Sequence, residues 1–314
     1  MPSRSELQRG LEAMLREAGV GGGVEIVGRE EILGGTFPKE VVTCRRADGT
    51  SLQVFCKYQG DASHVEYGHR GDVGYEALVY RTLLRRMHTS GPRFIGSLVD
   101  HAAGGTWLAI EYAEGAERVN HVDDAIPVAA GWLGRFHAEA QRMLEAEPDL
   151  PLKRYDADYY LGWARRTLEF AGPLLAQFPW LRPLCERFGD AVELLLESPA
   201  TVVHGEFYPA NVLIRGDRIY AVDWESAAIA AGEIDLAFLT FGWPDPGVAQ
   251  ALDAYRAGFG PQQPPAPPDA RLDAARVYGV LRWLGDRPAW TASSADFLPD
   301  LEPPARRLGL IGRQ

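Results

Sequence analysis

Hydrophobic positions change their spacing several times along this chain. Leu7, Leu11, Met14 and Leu15 recur at helical spacing behind Ser3 and Glu6, a capping-box pair, so a first helix is expected there. Gly21, Gly22 and Gly23 end it. The pattern then shortens to β-prone runs at residues 24–27, 31–33, 41–44 and 52–57, with an Asp48-Gly49 turn before the last. Gly34, Gly35 and Thr36 fall in a loop between the early strands, where backbone N–H groups can lie over phosphates. Residues 73–87 return to helical spacing, and residues 94–99 and 106–112 to strand spacing.

Beyond Gly115 the pattern is mainly helical, at residues 128–144, 156–170, 183–196, 234–241 and 270–284. One interruption stands out. The short β-prone runs 212–214 and 219–222 flank the polar turn Arg215-Gly216-Asp217-Arg218, which reads as a hairpin. The expected organisation is therefore α+β, with a small antiparallel-sheet lobe over residues 1–114 and a mainly helical lobe over residues 115–314. The Pro-rich stretch 261–268 is expected to be an exposed polyproline II loop.

Composition narrows the partners. A chain of 314 residues with 46% apolar content can bury a large core, and a net charge of −11 disfavours a nucleic-acid partner. Cys44, Cys56 and Cys185 form neither a disulfide framework nor a zinc pattern, and no apolar run approaches the ~20 residues that span a bilayer. Residues 1–19 are charged and amphipathic, unlike a signal peptide. The expectation is a cytoplasmic monomer or homodimer without a membrane partner.

Candidate chemistry begins with a rarity. Of 32 basic residues only Lys39, Lys57 and Lys153 are lysines, and Lys57 lies in an apolar strand on the face of Gln53 and Phe55. Glu76 shares the apolar stripe of helix 73–87 with Val79, Tyr80 and Leu83, and a carboxylate there is costly unless paired. A Lys57–Glu76 ion pair is predicted, orienting Lys57 towards nucleotide phosphates. On the hairpin, pairing of Ile214 with Ile219 brings Asn211 opposite Val222 and next to Asp223, with Glu206 five residues before Asn211. An amide and a carboxylate beside an acid suit Mg²⁺ together with phosphate oxygens. Strand 106–112 ends at Glu111, Tyr112 and Ala113; the backbone of Glu111 and Ala113 is the expected contact for adenine or guanine, with Phe55 against the base. His137, on an apolar stripe, reads as a hydrogen-bonded structural histidine. Asp235, inside an apolar helix, reads as an acceptor for backbone N–H groups that steadies the loop of Glu206.

Several of these stretches match one known pattern. His204-Gly205-Glu206 followed by Asn211, Val222-Asp223-Trp224-Glu225, the run Leu133 to His137, and Gly232 with Asp235-Leu236-Ala237 resemble the aminoglycoside phosphotransferase and choline kinase family, over roughly residues 25–260. The resemblance implies a bilobal protein-kinase-like fold and transfer of the γ-phosphate of ATP or GTP to a small-molecule hydroxyl with Mg²⁺. Lys57, held by Glu76, would bind phosphates; Asn211 and Asp223 would hold the metal; Glu206 would orient or deprotonate the acceptor. The family pattern has Asp where this chain has Glu206. The change moves the carboxylate out by about 1.5 Å, and a ~1 Å misplacement can cost about a hundredfold in rate. A nucleotide-binding protein with weakened catalysis and a regulatory role is the alternative. Asp156, Asp158, Tyr159, Trp163, Glu225, Trp283 and Asp286 are candidate acceptor contacts. They would suit a cationic amino-sugar, an antibiotic or a specialised metabolite.

Overall fold

The computed structural model describes residues 1–19, 23–60, 69–89, 91–100, 105–260, 269–291 and 293–312. Gly21, Gly22, Gly104 and the Pro-rich stretch 261–268 lie outside them. The chain divides into two compact units, Met1–Glu117 with Leu213–Ser226, and Arg118–Val212 with Ala227–Gln314. A division after residue 114 leaves residues 213–226 in the second part, whereas their contacts are with the first. Arg215 donates to the Glu114 carbonyl at 2.8 Å, and Arg218 to the Gly91 carbonyl and the Glu111 carboxylate at 3.1 and 3.3 Å.

In the first unit, helix α1 (Arg4–Glu17) starts at the capping box, with the Ser3 hydroxyl accepting from Glu6 N–H and the Glu6 carboxylate from Ser3 N–H. Five strands follow: β1 (Val24–Glu31), β2 (Lys39–Arg46), β3 (Ser51–Tyr58), β4 (Phe94–Asp100) and β5 (Gly105–Glu111). They form an antiparallel sheet in the order β1-β2-β3-β5-β4. Residues 24–31 make one strand with a register shift between Ile26 and Gly28, and residues 32–33 belong to the following loop. Leu7, Leu11, Met14 and Leu15 of α1 cover one sheet face, packing with Val42, Val54, Cys56 and Trp107. Alternation therefore turns Gln53, Phe55 and Lys57 to the opposite face.

Helix α2 (Val73–Thr82) lies between β3 and β4 in the chain and begins at Asp72, whose side chain accepts from Tyr75 N–H. It stops five residues short of the expected end at residue 87. Thr82 turns its hydroxyl back onto the Leu78 carbonyl, and residues 84–86 tighten into a 3₁₀ turn.

The second unit is helical around a short three-stranded sheet, Lys153–Arg154, Ala228–Ala231 and Ala200–Val203. Its longest helix, Ala125–Ala146, begins three residues before the pattern indicates, because Pro127 is tolerated in a first turn. Residues 183–196 form two helices, Leu181–Arg187 and Gly189–Leu196, broken at Phe188. Helices Asp245–Phe259 and Leu298–Arg307 lie outside the stretches of helical spacing; the second contains Pro303 and Pro304, which mask its helical character. Ala125–Ala146 packs on Asp245–Phe259 through Gly134 and Gly258. A Cβ on Gly134 would collide with the Tyr255 carbonyl, and one on Gly258 with the Gly131 carbonyl. Backbone-to-backbone approach of this kind fixes the helix pair rigidly. Among the described residues no helix is long and apolar enough to cross a membrane.

Candidate active site

Two buried charge clusters occupy the two units. In the first, Lys57 Nζ donates to Glu76 Oε2 at 2.7 Å, Asp223 Oδ1 at 2.5 Å and Glu225 Oε2 at 3.1 Å. Lys57, Glu76 and Glu225 are buried, and the Asp223 side chain is 42% exposed. Burial alone would lower the Lys57 pKa; the carboxylates of Glu76, Asp223 and Glu225 overcome it, and the ammonium titrates well above its ordinary range. Glu76 uses its second oxygen to accept from Trp224 N–H at 3.2 Å. Asp223 has φ of +71°, and the 3₁₀ turn Trp224–Ser226 follows it. A left-handed backbone is tolerated by Asp better than by most residues. Arg70 stands 3.6 Å from Glu225, whose backbone carbonyl accepts from Gly71 N–H at 2.6 Å. The Phe37 ring, from the glycine-containing loop, lies 5.2 Å from the Lys57 ammonium.

One oxygen each of Glu76, Asp223 and Glu225 fall within 4.8 Å of one another. Such a set of hard oxygen donors has the chemistry of a Mg²⁺ site, and the lysine ammonium already shows that it gathers positive charge.

The second cluster surrounds residues 204–211. Asp235, fully buried, accepts from His204 N–H at 2.6 Å and from Gly205 N–H at 2.9 Å. His137 meets Asp235 Oδ2 at 3.2 Å through Nε2 and the Tyr255 hydroxyl at 3.0 Å through Nδ1. Burial holds that hydroxyl protonated by raising its pKa well above the ordinary value. Glu206 N–H donates to His204 Nδ1 at 3.3 Å. The Glu206 carboxylate, almost fully buried, accepts from Arg282 Nη2 at 2.7 Å, while Arg282 Nη1 donates to the Gly205 carbonyl. Asn211 Nδ2 donates to the Glu206 carbonyl at 3.0 Å, leaving its Oδ1 as the atom that can ligate a cation.

The remaining predicted residues divide sharply. Gly34 and Gly35 are exposed with φ of +85° and +81°, in the same loop as the half-buried Thr36. Glu111 N–H is already taken by the Arg93 carbonyl at 2.8 Å, and Ala113 is half-buried. Phe55 shares a sheet face with a cavity of about 340 Å³ lined by residues including Gly28, Val41, Thr43, Gln53, Tyr112 and Glu114. The Gln53 amide oxygen is buried there without a hydrogen-bond partner.

The acceptor candidates fall in different surroundings. Glu225 is turned onto Lys57 by the 3₁₀ turn, so it belongs to the first cluster. Trp163 is fully buried, packed under Gly285, whose missing side chain admits its ring. Asp156 is exposed and caps a helix, its Oδ1 accepting from Tyr159 N–H at 2.8 Å, and Asp286 is buried. Asp158 is exposed. Tyr159 and Trp283 are half-buried aromatics, with Tyr159 hydroxyl 3.0 Å from that of Tyr278 and Trp283 Nε1 donating to Tyr208 at 2.7 Å. Sequence reasoning missed Arg282 and Phe37. Arg282 carried the signal that exposed Glu76, a charge among apolar neighbours on a helix.

The architecture is that of the protein-kinase-like fold. An aminoglycoside 2'-phosphotransferase-IIIa mutant in its GDP complex shares it at 12% identity and TM-score 0.66, covering 95% of this chain and 98% of that one. Choline kinase LicA from Streptococcus pneumoniae does so at 14% identity and TM-score 0.62, over 97% and 98%. Macrolide 2'-phosphotransferase MphH from Brachybacterium faecium does so at 21% identity and TM-score 0.56, over 98% and 100%. A search of curated proteins finds no match. The sequence pattern of the Phosphotransferase enzyme family matches residues 80–272, more than half of the chain, and the chain belongs to that family. By that membership it is a phosphotransferase.

Proposed function

We propose that the chain moves the γ-phosphate of ATP or GTP to a hydroxyl of a small molecule with Mg²⁺. The observation that carries this reading is Lys57 held among Glu76, Asp223 and Glu225 in a buried cluster. Glu76 and Glu225 orient the lysine, whose ammonium binds the α- and β-phosphates. Asp223, the most exposed carboxylate of the three, would hold Mg²⁺, which would neutralise phosphate charge. The backbone of residues 34–36 covers phosphates, and the nucleobase lies near Phe55, Glu111 and Ala113. The orphaned Gln53 oxygen beside the cavity supports a base carrying an exocyclic amine, which adenine and guanine both have.

In the transfer step the acceptor oxygen bonds to the γ-phosphorus as the bond to the β–γ bridging oxygen breaks, and the nucleoside diphosphate leaves. Glu206 orients the acceptor hydroxyl and takes its proton. Tyr159 and Trp283 offer aromatic surface to an acceptor such as an amino-sugar, an antibiotic or a specialised metabolite. A second reading, a nucleotide binder with weakened transfer, draws on the Glu206–Arg282 pair, because a neutralised acid is a poorer base.

The deciding experiment is a phosphate-transfer screen of purified protein with ATP and with GTP in Mg²⁺. Its panel comprises aminoglycosides, macrolides, choline and other hydroxyl compounds. Transfer to at least one acceptor is expected. Nucleotide binding without transfer, by the wild type and by Glu206→Asp alike, would establish the second reading instead.

A further inference from the structure

We infer that Arg282 is a positioning residue for Glu206: its guanidinium holds the longer acid where the acceptor hydroxyl is addressed. This inference rests on reading Glu206 as the acceptor-side acid.

Helix Asp269–Asp286 grips the loop 204–208 at three points. Arg282 Nη2 binds the Glu206 carboxylate at 2.7 Å, Arg282 Nη1 binds the Gly205 carbonyl, and Trp283 Nε1 binds the Tyr208 hydroxyl at 2.7 Å. The helix is itself fixed, because Thr167 donates to the Leu281 carbonyl at 3.0 Å and Arg166 to the Gly285 carbonyl at 2.7 Å. Arg282 is 1% exposed, and its guanidinium lies 5.7 Å from the Phe238 ring. Its planar fork places one donor on the loop backbone and one on the carboxylate, so side chain and backbone are set by a single rigid group. Burial disfavours the charged guanidinium, but Glu206 foremost, then Tyr208 and the other neighbours, keep it protonated.

A shorter acid at position 206 would withdraw its carboxylate by about 1.5 Å from Nη2. It would take the carboxylate away from the buried guanidinium. The Glu and the Arg therefore form one device, in which the added methylene reaches a partner supplied by the helix.

The test uses wild type, Arg282→Lys, Glu206→Gln and the double variant. Phosphate release from MgATP and MgGTP is measured with water as acceptor, and nucleotide affinity with fluorescent analogues. Lysine keeps the charge but not the fork. Arg282→Lys is expected to lower kcat about tenfold or more, since a ~1 Å misplacement costs about a hundredfold. Nucleotide affinity should stay within about twofold, and Arg282→Lys in the Glu206→Gln background should change kcat by less than about twofold. An equal fall in both backgrounds, or a wild-type kcat in Arg282→Lys while Glu206→Gln is impaired, overturns the inference. Wild-type turnover by Glu206→Gln, or no turnover in any of the four, overturns the reading of Glu206 beneath it. Should Arg282→Lys not melt cooperatively, Glu206→Asp carries the test. It is expected to be slower than wild type, and turnover at or above wild type refutes the pairing.

Discussion

The two charge clusters are built on opposite principles. Among the described groups around Lys57, three carboxylates outnumber one lysine and the more distant Arg70, and Asp223 reaches solvent. Around Glu206, one carboxylate faces one guanidinium, both buried, with the loop backbone tied to Asp235. An unbalanced, partly open cluster attracts a further cation or exchanges partners readily. A balanced, enclosed pair resists both and holds its geometry. On the proposed reading the first cluster handles the mobile phosphates and metal, and the second keeps the acceptor-side acid still.

The largest effect that would break this contrast concerns Asp223. Asp223→Ala should lower phosphate transfer by on the order of a thousandfold, as for loss of a group stabilising transition-state charge, while the melting temperature stays near that of wild type. Undiminished transfer sinks the assignment. Next comes stability. Lys57→Met takes the lysine ammonium away from buried Glu76 and Glu225, with Arg70 still 3.6 Å from Glu225, and should cost about 3–5 kcal/mol in chemical denaturation. Adding Glu76→Gln should recover only part, because Glu225 remains charged. In the balanced pair, by contrast, Arg282→Met with Glu206→Gln should recover most of the loss of Arg282→Met alone; equal recovery in the two cycles would erase the distinction.

Asp235→Ala is expected to cost about 2–3 kcal/mol, since it strands the buried amides of His204 and Gly205. It should slow transfer without weakening nucleotide binding, and a parallel loss of affinity would argue against a role confined to the acid's loop. The smallest effect is a null one in pH. The Lys57 pKa is raised on folding, so the pairing contributes fully below the unfolded value of about 10.5 and fades only as pH climbs through the higher folded value. The stability gap between wild type and Lys57→Met should therefore be the same at about pH 7 and about pH 10. A gap that narrows by the higher pH contradicts the raised pKa.

Legibility in the sequence followed how locally each feature is specified. The sheet of the first unit could be read from alternation and the Asp48-Gly49 turn, and the Lys57–Glu76 pair from one lysine in an apolar strand and one acid on an apolar helix stripe. The hairpin after Asn211 was visible for the same reason. Helix Leu298–Arg307 was hidden by Pro303 and Pro304, and the end of α2 by a side-chain bond from Thr82 that no spacing encodes. Glu225 could not be assigned to Lys57 because a 3₁₀ turn, rather than a strand, sets its direction. The Arg282 partnership joins residues 76 positions apart. Nothing in either local pattern names the other, although a buried arginine beside Leu281 and Leu284 does announce that some acid must answer it.

The bonds from His204 and Gly205 to Asp235 also bear on time. Loops usually exchange their amide hydrogens quickly, since their N–H groups face water. Here both amides end on a carboxylate with no exposed surface, itself braced by His137 against Tyr255. Their exchange requires the helical unit to open. The loop that carries Glu206 should thus be among the slowest segments of its unit to take up deuterium, a surface-style connection with the lifetime of a core.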